Sequence, residues 1–310
     1  MPEDEYTWLP RASLLSFEEL ARLTRILTTL GARKVRITGG EPLLRHSVDD
    51  LISQLRPTGI AEIAMTTNGL LLAAAAVKLR AAGLDRITIS LDTLQPDRMA
   101  EFARSGRHGD VIAGIDAALA AGFTGTKVNT VVVRGYNDDE IVTIAEFARR
   151  RGLEPRFIEY MDVGGATRWS AADVVSRQEI RAALEREYGP AEPFDDDPRA
   201  PARRFCFDNG FVAGVIASTT APFCGSCDRL RLTADGTMFT CLYGESGIDL
   251  RAMLRDGAED PELAARIRET WQARTDRGAE DRVRMAGRSV LVPLEGLRAD
   301  PRREMHVRGG

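Results

Sequence analysis

Hydrophobic and polar positions alternate between helical and strand spacing over the first 160 residues. Apolar residues recur every three or four positions from Leu20 to Leu30, which predicts an amphipathic helix. Ser16 and Glu19 match a capping box at its start, and Gly31 ends it. A short strand at 35–38 follows. The chain therefore begins its regular structure with a helix that leads into a strand.

The same alternation continues downstream. Further helices are predicted near 47–55, 70–82, 111–121 and 138–150, and further strands at 62–66, 86–91, 128–133 and 156–160. Parallel strands need a long crossover connection, which is usually a helix. The pattern therefore predicts an α/β fold with a parallel sheet, either open or curled into a barrel.

The regular alternation ends after Tyr160. The proline-rich segment 189–203 is the strongest linker candidate, and it divides the chain into two predicted parts, 1–190 and 203–310. The second part contains two turn signals, Asp208-Asn209-Gly210 and Asp235-Gly236. Its predicted elements, with the helix that precedes the linker, are helices near 176–187, 250–254 and 262–272, strands at 205–207 and 212–217, and an irregular basic tail.

Composition excludes several classes of protein. The 310 residues are 44% hydrophobic and 28% charged, a balance typical of globular proteins. The longest apolar run, 70–77, is far shorter than the roughly 18 residues of a membrane span. With 42 basic and 46 acidic residues the net charge is −4, which offers no general field for nucleic acid or membrane. The first residues lack the apolar stretch of a secretory signal, so we expect a cytoplasmic protein.

Polar residues follow four predicted strands at their carboxyl ends, where parallel α/β proteins bind ligands. Paired glycines let a ligand approach the backbone closely, although ordinary turns favour the same residue types. Convergence of the four turns on one edge favours a binding site. They are Gly39-Gly40-Glu41-Pro42, Thr66-Thr67-Asn68-Gly69, Ser90-Leu91-Asp92 and Glu159-Tyr160-Met161.

All four cysteines, Cys206, Cys224, Cys227 and Cys241, lie in the last third of the chain. So few cysteines form no disulfide scaffold, and their clustering indicates a metal site. A Cys-x2-Cys pair followed by Cys241 has metal-site spacing. Cys206 lies in an apolar strand and is predicted to be a buried, inert thiol. Four thiolates would suit structural zinc, and three without Cys206 would suit a 4Fe-4S cluster with one open iron.

Arg229 and Arg231 follow the Cys-x2-Cys pair at strand spacing, so both would point to one side. Two guanidinium groups beside a metal site would form a fork for phosphate, and a solvated charged strand is the alternative. Lys127 is predicted at the start of its strand, away from the polar edge. His46, His108 and His306 form no metal-binding pattern.

Several segments carry a resemblance to a known family. The chain resembles the GTP 3′,8-cyclases, the molybdenum cofactor biosynthesis protein A (MoaA) family of the radical S-adenosylmethionine (SAM) superfamily. The resemblance implies an incomplete parallel (β/α) barrel of the radical SAM type, closed by a C-terminal iron–sulfur cluster region. The segments are Lys34–Arg45, Thr66–Gly69, Arg156–Met161 and Phe223–Thr233, with Cys241 and the terminal Gly309-Gly310 in addition.

The resemblance also implies site residues. The SAM contacts are Gly40, Ser90 and Met161, with Gly39 and Glu41 shaping that site. The GTP contacts are Arg36, Thr67, Lys127, Arg229 and Arg231, with Lys34 as a further candidate. The ligands of a second 4Fe-4S cluster, whose open iron meets the guanine base, are Cys224, Cys227 and Cys241. The tail that reaches into the active site is Gly309-Gly310.

In such enzymes a deoxyadenosyl radical removes H3′ of GTP, and the product is 3′,8-cyclo-7,8-dihydro-GTP, an early intermediate of molybdenum cofactor biosynthesis. The implied cofactors are SAM and two 4Fe-4S clusters. The implied partners are GTP, an electron donor and the downstream cyclic pyranopterin synthase, and a homodimer is compatible with the family. Neither nucleic acid nor a membrane is expected as a partner.

One part of the family pattern is absent. The family begins with a strand and a Cys-x3-Cys-x2-Cys loop that holds the catalytic cluster, and a Met-Pro-Glu segment follows that loop. This chain starts at Met1-Pro2-Glu3, and no cysteine precedes Cys206. We therefore expect a misassigned start or a truncated paralogue, with the 310-residue chain inactive as written. The alternative functions are an inactive GTP- and metal-binding protein and a zinc-stabilised α/β protein.

Overall fold

The computed structural model describes residues 7–102, 105–163, 168–195, 197–285 and 287–309, and its centre is an eight-stranded main sheet. The strands are β1 (Lys34–Ile37), β2 (Glu62–Thr67), β3 (Arg86–Ser90), β4 (Lys127–Val132), β5 (Glu154–Glu159), β6 (Ala191–Asp195), β7 (Arg203–Phe207) and β8 (Val212–Ile216). The helices that precede and connect them are α1 (Phe17–Thr29), α2 (Val48–Leu55), α3 (Leu72–Ala81), α4 (Pro96–Phe102), α5 (His108–Ala120), α6 (Ile141–Arg150) and α7 (Arg177–Tyr188).

The strand order of the main sheet is β1-β2-β3-β4-β5-β8-β7-β6. β1 to β5 are parallel neighbours, and β8 runs parallel to β5. Six strands therefore end at one edge, which we call the carboxyl edge. β7 and β6 complete the sheet in antiparallel pairs. The predicted α/β fold with a mostly parallel sheet is confirmed.

The remaining elements form a smaller C-terminal part. Its strands are β9 (Arg231–Leu232), β10 (Thr237–Phe239) and β11 (Ile248–Asp249), which make a three-stranded antiparallel sheet. Its helices are α8 (Leu250–Arg255), α9 (Asp260–Gln272), α10 (Gly278–Arg284), α11 (Leu294–Ala299) and α12 (Met305–Arg308). The segment predicted to be an irregular tail thus contains three short helices, a correction to the sequence analysis.

The apolar face of the main sheet forms most of the hydrophobic core. Successive side chains of a strand point to opposite faces, and the inward positions of β2, β3 and β4 carry aliphatic residues. Ile63, Met65, Ile89 and Val128 are fully buried there, and they pack with α2, α3 and α5. This packing fixes the register, because a one-residue slip would expose every one of these side chains. The other face of the sheet is therefore free to carry polar residues.

The predicted linker 189–203 contains a strand. β6 lies at the edge of the sheet and pairs only with β7 among the described residues. Pro193 within it concealed the strand from sequence reasoning, since proline argues against a central strand but is tolerated at an edge. β6, β7 and β8 extend the main sheet, so residues from both predicted parts share it. The division at 190 and 203 stays a prediction.

The hairpin signals are confirmed. Gly210 and Gly236 both adopt positive φ, 77° and 86°, in the turns between β7 and β8 and between β9 and β10. The predicted capping box at Ser16 is also present, and the structure has a second one at Ser176. Among the described residues, no helix has the length and apolar character needed to span a bilayer.

Candidate functional site

The second face of the main sheet, which we call the polar face, carries charged and hydroxyl side chains. The register aligns them across the strands: Lys34 with Glu62, Thr66 with Thr88, and Lys127 with Glu154. On β1 to β5, five cationic groups against two carboxylates leave an excess of three positive charges. The members on these strands are Lys34, Arg36, Glu62, Thr66, Arg86, Thr88, Ser90, Lys127, Asn129, Glu154 and Arg156.

Ion pairs order the outer parts of the polar face. Glu62 accepts from Lys34 at 2.7 Å and from Arg86 at 2.7 Å. Arg36, which is exposed, donates from Nη1 to the hydroxyls of Thr66 (2.9 Å) and Thr88 (3.2 Å). The Arg36 contacts involve no carboxylate, so its charge remains available to an anion.

Lys127 and Arg156 form the centre of the polar face. Burial lowers the pKa of Lys127 to about 8, and the nearby charge of Arg156 acts in the same direction. Arg156 is only 7% exposed, and its Nε has no hydrogen-bond partner among the described residues, although its other end pairs with Glu154. A buried donor without an acceptor is costly. This arrangement favours an anionic ligand.

Lys127 lies at the start of its strand and away from the carboxyl edge, as expected. Its side chain lies on the polar face between Thr88 and Glu154. Arg156 was not selected from the sequence as a site residue. Its alternation with the apolar residues of β5 was a usable signal, because a charge at an otherwise buried strand position indicates a second, polar face.

Glu41 organises two of the loops at the carboxyl edge. Its carboxylate accepts from the Thr67 hydroxyl at 2.8 Å, the Asn68 amide at 2.7 Å and the Leu43 amide at 3.0 Å. The Thr67 hydroxyl is therefore directed at Glu41, and Thr67 is only 2% exposed. These bonds connect the Gly39-Gly40 loop with the loop after β2.

Glu159, fully buried at the end of β5, also connects loops at the carboxyl edge. It accepts from the amides of Thr219 (2.9 Å) and Thr220 (2.7 Å) after β8, and from the amide of Arg177 (2.8 Å) at the start of α7. Four satisfied bonds, including one from the Thr220 hydroxyl, make its role structural.

The residues predicted to contact SAM all lie at the carboxyl edge. Ser90 ends β3, Met161 follows β5, and both are half-buried. Gly39 adopts φ 135°, and a side chain at Gly40 would lie 3.2 Å from the Trp8 ring. The glycines thus permit the close packing of this loop, and their roles toward SAM stay a prediction.

We call residues 224–243, which follow β8 in the chain, the cysteine region. Cys224 begins a 3₁₀ turn, Cys227 follows that turn, and Cys241 follows β10. All three are half-buried. Among the described residues, no group of three His, Cys, Asp or Glu side chains is arranged to hold one metal ion. The assignment of Cys224, Cys227 and Cys241 as ligands of one cluster therefore stays a prediction.

Cys206 differs from the expectation. It is half-buried rather than buried, because it lies on the same face of β7 as Arg204, opposite the buried Phe205 and Phe207. The apolar neighbours in sequence point the other way. This contradicts the prediction of a buried thiol.

Arginine side chains act on two of the three other cysteines, Cys227 and Cys241. Arg229 donates from Nε and Nη2 to the Cys227 sulfur at 3.4 Å, and Arg274 donates to the Cys227 carbonyl at 2.6 Å. Burial acts to raise the pKa of Cys227, but the charge and hydrogen bonds of Arg229 outweigh it and lower the pKa. Desolvation lowers the pKa of the half-buried Arg231 to about 10, and the charges of Cys241 and Cys227 oppose this effect.

Arg231 also holds the C-terminal tail. Its Nη1 donates to the carbonyls of Arg308 and Gly309, the former at 3.2 Å. Gly309 has φ 70° and packs against Thr38, where any side chain would collide. The tail therefore reaches the end of β1, next to the glycine loop. Gly310 lies outside the described residues.

One buried ion cluster was not foreseen from the sequence. Asp162, next to Met161, accepts from Arg282 at 2.8 and 2.6 Å and from Arg288 at 2.8 and 2.8 Å. The hydroxyl of Tyr243, two residues after Cys241, is 3.3 Å from the same carboxylate. The cluster connects the end of β5, the cysteine region and the C-terminal segment. No sequence pattern predicts that these three segments meet.

Comparison with known proteins defines the class first. Residues 3–148 match the Radical SAM superfamily, and residues 153–280 match Molybdenum Cofactor Synthesis C. The structure of Streptococcus suis SuiB bound to S-adenosylmethionine is similar with a TM-score of 0.56 at 18% identity, and the match covers 82% of this chain and 61% of that chain. The fold is that of the radical SAM enzymes.

Relatives with similar sequences define a narrower class within the radical SAM enzymes. GTP 3′,8-cyclase 1 of Mycobacterium tuberculosis (strain CDC 1551 / Oshkosh) is 49% identical over 100% of this chain and 88% of its own length. The GTP 3′,8-cyclase of Acidothermus cellulolyticus is 45% identical over 89% of this chain and 78% of its own length. The chain belongs to the GTP 3′,8-cyclase family.

Proposed function

We propose that this protein acts in molybdenum cofactor biosynthesis as a GTP 3′,8-cyclase, which converts GTP to 3′,8-cyclo-7,8-dihydro-GTP with a radical derived from SAM. The observation that carries the proposal is the excess of three positive charges on β1 to β5 of the polar face, with a buried Nε of Arg156 that has no hydrogen-bond partner among the described residues. A nucleoside triphosphate supplies the matching anion. The mostly parallel sheet and the similarity to named GTP 3′,8-cyclases support the same assignment.

The polar face would hold the triphosphate. Lys34, Arg36 and Lys127 present cationic groups along its surface, and Arg231 adds one from the cysteine region. Charge-assisted hydrogen bonds of this kind are strong and directional. Fixing the phosphates fixes the ribose, which is the main contribution a protein can make to a radical reaction at one carbon. Thr67 would act through Glu41, to which its hydroxyl donates.

The carboxyl edge would hold SAM. Gly39 and Gly40 offer backbone close to the ligand, while Ser90 and Met161 end or follow strands on the same edge. Since Glu41 already accepts three hydrogen bonds, we assign it the role of shaping these loops.

The thiols of Cys224, Cys227 and Cys241 would hold a 4Fe-4S cluster. Their chemistry fits such a group, because the three thiols are half-buried and the positive charges of Arg229 and Arg231 act on Cys227 and Cys241, which favours an anionic group there. The bound cluster supplies an iron with an open position for the guanine base. An external electron donor, the downstream cyclic pyranopterin synthase and a homodimer remain part of this proposal.

Anaerobic reconstitution of the 310-residue chain is expected to load one iron–sulfur cluster with nearly equal iron and sulfide. Cys241→Ser should abolish loading, whereas Cys206→Ser should not, because Cys206 lies on β7 beside the polar face. Iron, sulfide and zinc analysis with visible absorption provides the measurement. A colourless protein that contains zinc and no sulfide would show that the site is structural zinc.

Lys127 gives a test of the phosphate site. Lys127→Ala is expected to weaken GTP binding by roughly 1.5–3 kcal/mol, the range for a hydrogen bond to a charged group. Binding of guanosine, which has no phosphate, should change little. Isothermal titration calorimetry measures both, and Lys78→Ala on the exposed side of α3 is the matched control. Equal losses for GTP and guanosine would contradict a phosphate role.

The same residue predicts a pH dependence. Its pKa is lowered to about 8, so the ammonium charge that attracts phosphate is present below that pH and is lost as pH rises through it. GTP affinity should therefore fall between about pH 7 and 9. Lys127→Arg should flatten the profile, because arginine stays charged throughout. A profile that is unchanged in Lys127→Arg would assign the titration to another group.

A further inference from the structure

Arg308, in α12 near the C-terminus, is a buried cation whose side chain contacts the segment after Cys241. It is 6% exposed. Its Nη1 donates to the carbonyls of Leu242 at 2.7 Å and Gly244 at 2.6 Å, and its Nε donates to the carbonyl of Arg302 at 2.6 Å. The guanidinium also lies over the Phe239 ring, 4.2 Å from its centre. One side chain thus connects the tail to the segment that directly follows Cys241.

The hydrogen bonding of Arg308 is incomplete. Its Nη2 is buried and has no hydrogen-bond partner among the described residues. The three acceptors that it does have are neutral carbonyls. A buried guanidinium with an unused donor is costly unless an anion pairs with it.

Charged groups of both signs act on Arg308. Its backbone carbonyl accepts from Arg231 Nη1 at 3.2 Å, which brings a second cationic side chain to the tail. Burial lowers the pKa of Arg308, and the charge of Arg303 adds to this effect. Asp300 and the Cys241 thiolate act in the opposite direction. Leu242, whose carbonyl accepts from Arg308 Nη1, directly follows Cys241, which we assign as a cluster ligand.

We propose that Arg308 is a positioning residue that couples the tail to the iron–sulfur group held by Cys241: it ties the tail to the segment that directly follows Cys241, and its free Nη2 donates to that anionic group. This rests on the cluster proposed above. A hydrogen bond and a positive charge stabilise the reduced cluster, which carries one more negative charge. Arg308 should therefore raise the midpoint potential at which the cluster accepts an electron.

The test is a redox titration of the reconstituted 310-residue chain with dithionite, followed by electron paramagnetic resonance. The chain contains one predicted three-cysteine set, so one signal is expected. Arg308→Leu should make reduction at least tenfold less favourable, which corresponds to about 59 mV more negative for one electron. Arg308→Lys keeps the charge and should shift the potential less.

Two control variants separate this role from a merely structural one. Arg302→Leu removes the 2.7 Å ion pair with Asp235 and loosens the tail while Arg308 remains. Arg186→Leu removes an exposed arginine from α7. Neither should shift the potential by as much as Arg308→Leu.

The outcomes distinguish the inference from the proposal on which it rests. An intact cluster with an unchanged potential in Arg308→Leu, or an equal shift in Arg302→Leu, would overturn the role of Arg308 and leave the cluster site standing. An unsubstituted chain that takes up no iron and sulfide would overturn the cluster site itself. If Arg308→Leu fails to fold, Arg308→Lys decides: a potential below that of the unsubstituted chain supports the role, and an unchanged one overturns it.

Discussion

The 310-residue chain is expected to bind GTP and to produce no 5′-deoxyadenosine from SAM. The family resemblance implies that reductive cleavage of SAM requires a three-cysteine set in addition to the one assigned to Cys224, Cys227 and Cys241. The chain contains four cysteines, and the fourth, Cys206, lies alone on β7. His46, His108 and His306 form no metal-binding pattern in the sequence that could supply a substitute set. At most one cluster of the required kind can therefore form.

The measurement is anaerobic incubation of the reconstituted chain with SAM, GTP and dithionite, with chromatographic detection of 5′-deoxyadenosine. A chain preceded by an in-frame segment with Cys-x3-Cys-x2-Cys should form 5′-deoxyadenosine and the cyclic product. The same segment with serine in place of its cysteines is the matched control and should form neither. Production of 5′-deoxyadenosine by the 310-residue chain would contradict the cysteine argument.

The added segment is expected to stabilise the fold as well. β1 is the terminal strand of the main sheet and pairs only with β2 among the described residues. An edge strand with open backbone groups gains from a further partner. The serine control should share this gain in melting temperature, which would separate the stabilising effect of the segment from the effect of its cysteines.

Asp162→Ala should destabilise the protein by about 3–5 kcal/mol, the range for breaking a buried ion pair. The Asp162 side chain is fully buried, and Arg282 and Arg288 are 11% and 10% exposed, so both cations would lose their acceptor without access to water. Urea denaturation measures the loss. Asp139→Ala, which breaks an exposed pair with Arg98, should cost about 1 kcal/mol or less.

The same cluster predicts acid sensitivity. Burial alone would raise the pKa of Asp162, but its hydrogen bonds to Arg288 and Arg282 outweigh burial and lower the pKa. Its contribution is fully present above the unfolded pKa of about 4 and is lost as pH falls through the lower folded value. Asp162→Ala should therefore reduce the acid dependence of the unfolding free energy below about pH 4. If the unfolding free energy of the variant falls with pH below about 4 as steeply as that of the unsubstituted chain, other carboxylates cause the acid sensitivity.

Local patterns in the sequence predicted most of the main sheet. β1 to β5 lie within two residues of their predicted bounds, because the spacing of apolar residues in each depends on the strand itself. The glycine turns at Gly210 and Gly236 were equally legible, since positive φ is a local requirement. β6 was missed because its proline is tolerated only at a sheet edge, and edge position is a property of the whole sheet.

The site was predictable in part. The strand-end loops were expected to converge at one edge, and the parallel order of β1 to β5 brings them there. The polar face was not expected, although Glu62, Arg86 and Arg156 alternate with apolar neighbours in the sequence. Cys206 was misjudged because its neighbours Phe205 and Phe207 are buried, whereas a strand turns alternate side chains to opposite faces.

The sequence by itself determined the α/β class, the family resemblance and the residue types of the site, because strand and helix periods and short motifs are properties of adjacent residues. The tertiary structure alone decided which side chains meet. Arg288 reaches Asp162 across 126 residues, and Arg231 reaches the tail carbonyl of Arg308 across 77. Such contacts depend on how separate elements dock, and no pattern within either segment encodes the other. The charge clusters that hold the C-terminal part against the sheet therefore became visible only in the folded chain.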